Sequence, residues 1–128
     1  MSARTTLRPQ VVVNAGDMSG NITSSPTILQ SLTRVAYSVD WTGSPVGTFQ
    51  VQTSNDYALN PNGTVANAGN WATIPLIVNG VISNTVSTVG FTGGMIDVEG
   101  ISAYAIKLVY TAGSSTGVLT AVIAGKVS

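Results

Sequence analysis

The chain has 128 residues, a length at which one domain buries roughly two-thirds of the surface that its unfolded form exposes. It holds no cysteine and no histidine, which removes disulfide frameworks, thiol nucleophiles, the usual zinc ligands and the imidazole general base. Five cations balance five anions, and only 8% of residues are charged. The cations Arg4, Arg8, Arg34, Lys107 and Lys126 are scattered, so the sequence builds no phosphate-binding face, and little charge keeps free copies of the chain apart.

No enzyme activity, cofactor or metal is therefore expected. Nucleic acid is not an expected partner. No apolar run reaches signal-peptide or membrane-spanning length, so Sec-type secretion and membrane contact are not expected either. The surface is expected to meet other protein chains, copies of itself included.

The first ten residues carry Arg4, Leu7 and Arg8 ahead of Pro9 and read as an extended arm, with a β-sandwich domain from 11 to 128. Arms of this kind are frayed or tied to a neighbour, which makes Arg4, Leu7 and Arg8 candidate assembly contacts. Asp17, in Ala-Gly-Asp-Met, suits an Asx turn. Ser24 or Ser25 as a cap and Pro26 as a first helical residue allow one short helical turn up to Leu32. From Leu32 to Trp41, Val35, Tyr37, Val39 and Trp41 alternate with Arg34, Ala36, Ser38 and Asp40, giving a strand with one dry face. Beyond the turn residues Gly43 to Gly47, Thr48 to Ser54 repeats the pattern with Phe49 and Val51. These two strands are expected to pair with each other.

Asn55 to Asn70 is a long polar excursion, expected at the sandwich edge, and Asp56 within it again suits an Asx turn. Tyr57 and Trp71 flank it, as assembly contacts or as a platform for a sugar ring, the one possible small partner being a glycan. The strand resuming at Trp71 passes Pro75, which cannot donate to a ladder and so marks an edge or a bulge. Asn79-Gly80 is a two-residue hairpin signal, because a type I′ turn needs positive φ at both positions. Asp97 and Glu99 share one strand face, but two carboxylates fall short of the oxygens that calcium takes.

Ile101 to Thr111 places Tyr104, Ile106, Leu108 and Tyr110 on one face. After the turn from Thr111 to Gly117, the closing strand Val118 to Lys126 is apolar on both faces, as in a central strand or one covered by a neighbouring subunit. It is expected to form a hairpin with the strand before it. Short strands, frequent turn signals and no helical crossover predict an all-β fold, a single antiparallel β-sandwich, jelly-roll-like.

The succession Gly47-Thr-Phe-Gln-Val-Gln-Thr-Ser-Asn-Asp56, Trp71-Ala-Thr-Ile-Pro75, Tyr104-Ala-Ile-Lys-Leu-Val-Tyr110 and Gly117-Val-Leu-Thr-Ala-Val-Ile-Ala-Gly-Lys126 resembles the small β-sandwich structural proteins of tailed bacteriophage virions. The resemblance implies a non-enzymatic virion component made in the host cytoplasm. A capsid decoration protein is the first expectation, and a tail, neck or fibre-base component the second. Its motifs describe packing, so they transfer no catalytic, cofactor or metal residue. A carbohydrate-binding or adhesive module using Tyr57 and Trp71 is the alternative from another class.

Overall fold

A computed structural model describes residues 6–29, 32–89, 93–99, 101 and 103–126. Among the described residues there is no helix. In chain order the strands are β1 (Thr6–Asp17), β2 (Ile22–Thr23), β3 (Thr27–Ile28), β4 (Arg34–Gly43), β5 (Val46–Ser54), β6 (Ala58–Leu59) and β7 (Val65–Asn67). They continue as β8 (Ala72–Ile74), β9 (Leu76–Val78), β10 (Val81–Ser83), β11 (Val86–Ser87), β12 (Gly94–Glu99), β13 (Ala105–Ser114) and β14 (Gly117–Lys126). Two antiparallel sheets face each other. Sheet A runs β1-β14-β4-β12-β9-β10, and sheet B runs β11-β5-β13-β2, with β8 also on β5 and β3 also on β13. The chain is an all-β sandwich, as its alternating apolar pattern predicts.

The long strands bury the faces that alternation marks. Val35, Tyr37 and Val39 on β4, Phe49 and Val51 on β5, Ile106, Leu108 and Tyr110 on β13, and Leu119, Ala121 and Ile123 on β14 all point into one core. Each fully buried Leu, Ile or Phe stabilises the fold by about 1.5–3 kcal/mol. Burial pushes the Tyr37 phenol far above its ordinary pKa. Neither the Tyr37 nor the Tyr110 hydroxyl has a hydrogen-bond partner among the described residues.

Strand pairing departs from the sequence expectation at two places. β4 and β5 do not pair, nor do β13 and β14. In each case the chain crosses from one sheet to the other, so that β14 lies between β1 and β4 while β13 lies on β5. Alternation states which face of a strand is dry, and that requirement is met equally by strands side by side or opposed across a core. Here they are opposed, and Trp41 of β4 stacks across the core on Phe49 of β5, with centroids 5.7 Å apart. The two crossings lie together at one end, Gly117 opposite Gly43 and Ser114 opposite Val46. Buried Thr88 holds the first of them: its hydroxyl donates to the Pro45 carbonyl at 2.9 Å and accepts from Gly47 N–H at 3.1 Å. A Cβ on Gly47 would overlap the Tyr110 hydroxyl and stand 2.5 Å from the Thr111 carbonyl oxygen.

Other local expectations fare variously. Asn79 (φ 51°) and Gly80 (φ 79°) form the anticipated turn between β9 and β10, with Val81 opposite Val78. Pro75 stands where the chain leaves sheet B as β8 and enters sheet A as β9, a position that needs no donated ladder bond. Thr27 and Ile28, placed in a possible helical turn, instead pair with Ile106 and Ala105 as β3, as suits their β-branched side chains. Gln30 and Ser31 of that stretch lie outside the described residues. Tyr104, expected on the dry face of its strand, precedes β13 and is exposed.

β1 begins at Thr6 and runs through residue 10, the expected boundary between arm and domain. Residues 6–10 are thus paired with β14, Thr6 opposite Lys126 and Gln10 opposite Ile123. The irregular register between Leu7 and Gln10 accommodates Pro9.

Candidate functional site

The expected contact residues separate in space. Arg4 lies outside the described residues. Leu7 is corrected from a contact residue to a core one: it is buried in this chain's own sandwich, because β1 closes the edge of sheet A and turns that side chain inward. Arg8 remains exposed on β1.

Tyr57 and Trp71 are brought together by the excursion from Asn55 to Asn70. This segment is not structureless: β6 and β7 form a small ladder of their own, closed by Asn and Thr side chains. Asp56 clasps its base. The carboxylate accepts the Asn70 N–H at 2.7 Å, the Asn70 side-chain N–H at 2.8 Å and the Ser54 hydroxyl at 2.8 Å. These bonds, the Asn70 N–H foremost, hold its pKa below the ordinary aspartate value. Asp17 likewise accepts the Ser19 N–H at 2.9 Å, with the same consequence. Asp17 therefore serves a local turn, as its sequence context implies, whereas Asp56 closes a loop by accepting from Asn70, fourteen residues on, and the neighbouring turn N–H groups of Asp56 and Tyr57 donate instead to Ser54 Oγ.

Tyr57 is buried, and its ring lies 5.6 Å from that of half-buried Trp71. The Trp71 indole N–H donates to the Ala68 carbonyl at 2.8 Å, and Lys107 Nζ stands 4.2 Å from a ring centroid over the indole. This cluster spends its aromatic surface and its cation on the protein itself. An open pair of rings for a sugar is not what it presents.

The larger unspent surface is the outer face of sheet A. Register aligns Lys126, Arg34 and Glu99 in one row across β14, β4 and β12. The next row is Ala124, Ala36, Asp97 and Ile77, continued by Ile82 on β10. Val11, Val122, Ser38 and Met95 form a third. Val11, Ile82 and Met95 are 60%, 69% and 52% exposed. Arg34 and Glu99 are ion-paired while both remain about half exposed. The charged row borders a hollow of about 320 Å³ whose floor is set by Ala36, Ala124 and Gly125. Among the described residues no group of three or more acidic side chains converges to hold a metal.

No family model and no curated protein matches the sequence. A solved structure does match the fold. The chain shares it with the SPBc2 prophage-derived protein YomS. The superposition covers 97% of this chain and 98% of that one with a TM-score of 0.66, at 3% sequence identity. At that identity the two share a backbone architecture while side chains are almost entirely different, so no residue of the outer face or of the Asp56 clasp is transferred by it.

Sequence reasoning marked Tyr57 and Trp71 but missed the outer face as a unit. One signal for it was present, the apolar outward positions Val118, Val122 and Ala124 of a strand whose inward positions are also apolar. The rest depends on β14, β4 and β12 lying side by side, and these are far apart in sequence.

Proposed function

We propose that this chain is a non-enzymatic structural protein of a phage virion, a capsid decoration protein that acts through contacts with other virion chains and with copies of itself. The observation that carries the reading is the fold match: the whole sandwich, end to end in both chains, occurs in a prophage-derived protein. Composition supports it. A shell component repeated many times accumulates any net charge across its copies, and this chain has a formal charge of zero. The outer face of sheet A gives such contacts a place, because exposed Val11, Met95 and Ile82, with half-buried Val122, are unfavourable side chains to leave in water. The glycan-binding reading has weaker support, since Tyr57 is buried and Trp71 is engaged by Tyr57, Ala68 and Lys107.

Gold-labelled antibody raised against the purified protein and applied to gradient-purified particles from cells carrying the gene tests the proposal. Label distributed over the head is the expected result. Label confined to the tail or neck would move the assignment to those parts, and particles without label would overturn it.

A further inference from the structure

We infer that the outer face of sheet A docks on the same face of a second copy, about a two-fold axis that runs parallel to the strands between β4 and β12. The inference deepens the assembly reading above and rests on its claim of contact between copies. The face is divided along the β4–β12 seam in both charge and size. At the end that holds the hollow, the cations Lys126 and Arg34 lie on the β14–β4 side and the anions Glu99 and Asp97 on the β12 side, while Asp40 lies further along β4, opposite Thr120. The β14–β4 side of the hollow is small, with Ala124 and Ala36; beyond it, Val122 and Ser38 lie on that side and Met95, Ile77 and Ile82 on the β12–β9–β10 side.

A two-fold axis along that seam exchanges the halves and keeps each row level. Arg34 of one copy then faces Glu99 of the other, and Glu99 faces Arg34. Ile77 comes over Ala124 at the hollow, and Met95 comes over Ser38. An isologous interface must be self-complementary, and the rows around the hollow, with Arg34 and Ala124 on one side of the line and Glu99 and Ile77 on the other, meet that condition. Two sheets meeting in this way pack in an aligned orientation about 10 Å apart, as inside a sandwich. The opposite outer face carries Thr48, Gln50 and Gln52 on β5 beside Lys107 and Thr111 on β13 and has no such division.

The test uses two charge reversals, Arg34→Glu and Glu99→Arg, with mass measured by light scattering over a concentration series. Wild type is expected to dimerise. Each variant alone sets like charges against each other across the axis and is expected to associate at least about tenfold more weakly. Mixed in equal amounts, the two variants restore both pairs between copies while the pair within each chain stays broken, so the mixture is expected to recover the dimer. Recovery on mixing is an outcome that a pair serving only the monomer's stability cannot give.

A wild type that stays monomeric, single variants that dimerise unchanged, or a mixture that fails to recover overturns the inference. Should either reversal unfold the chain, Ala124→Lys fills the hollow from an outward position: loss of the dimer supports the inference and retention overturns it. The gold-label result stands apart, because a monomer can still decorate a head, and a dimer can still be absent from the particle.

Discussion

Outside sheet B, Lys107, Gln52 and Thr73 lie in one row and Thr111, Thr48 and Ser87 in another, whereas outside sheet A the central rows hold Ala124, Ala36 and Asp97, and Val122, Ser38 and Met95. Both faces belong to strands of similar length that bury equally apolar inner sides. The difference is therefore not required by the sandwich, which needs only one dry face per sheet. Sheet B carries long polar side chains along its central strands, whereas sheet A gathers Arg34, Glu99 and Lys126 at one end. An outward face with small side chains at Ala124, Ala36 and Ser38 and exposed apolar ones at Val11, Met95 and Ile82 is fit for covering by another surface, and the crowding of Arg34, Asp97, Glu99 and Lys126 at one end gives that surface an orientation.

The harshest way to break the comparison is to remove what both faces stand on. Phe49 is fully buried, stacks on Trp41 across the core and packs on Tyr110 within its own sheet at 5.0 Å between centroids. Phe49→Ala is expected to cost about 3–5 kcal/mol, read from urea denaturation, and to disorganise both faces together. A loss well below that range would mean that the two sheets are stabilised separately.

A smaller effect compares the undersides. The Tyr37 hydroxyl under sheet A and the Tyr110 hydroxyl under sheet B are both buried without a partner, and a buried polar group in that condition costs free energy. Tyr37→Phe and Tyr110→Phe are each expected to raise stability by about 1 kcal/mol in the same denaturation experiment. A gain in only one variant would show that one underside is wetter than the other.

How far this contrast was legible beforehand depends on the range of the interaction. Alternation at Val35, Tyr37 and Val39, or at Ile106, Leu108 and Tyr110, names inward residues because the period of a strand is a local property. Asn79-Gly80 announced its hairpin for the same reason: the turn's φ angles are set by the two residues themselves. The two crossings between sheets were not legible, since a tight connection after Gly43 or Ser114 serves a hairpin and a crossing alike. Leu7 was misjudged with them, because nothing within the first ten residues says that β14 will offer an edge to receive them. The alignment of Arg34 with Lys126 and Glu99 follows from the same long-range pairing, so the candidate face emerged only with the fold.

The faces themselves are compared by Ala124→Lys outside sheet A and Val109→Lys outside sheet B. Both positions are outward and half-buried, so each monomer is expected to keep its stability to within about 0.5 kcal/mol. Association is expected to fall for Ala124→Lys and to hold for Val109→Lys in light scattering. Equal behaviour of the two would erase the distinction between the faces.

The smallest expected effect is confined to the loop at the end of sheet B. The Asp56 carboxylate has a folded pKa below its unfolded one because Asn70 and Ser54 donate to its charged form. Its contribution is then fully present above the unfolded pKa of about 3.9 and is lost as pH falls through the lower folded value. Hydrogen exchange at the Asn70 amide should accordingly gain relative to the amides of β5 as the solution is taken below about pH 4, after correction for intrinsic rates. Asp56→Asn has no carboxylate to protonate, so the same ratio is expected to start high and stay flat. A wild-type ratio that is already flat across that window would mean that the loop is held by the β6–β7 ladder and the Tyr57–Trp71 contact alone.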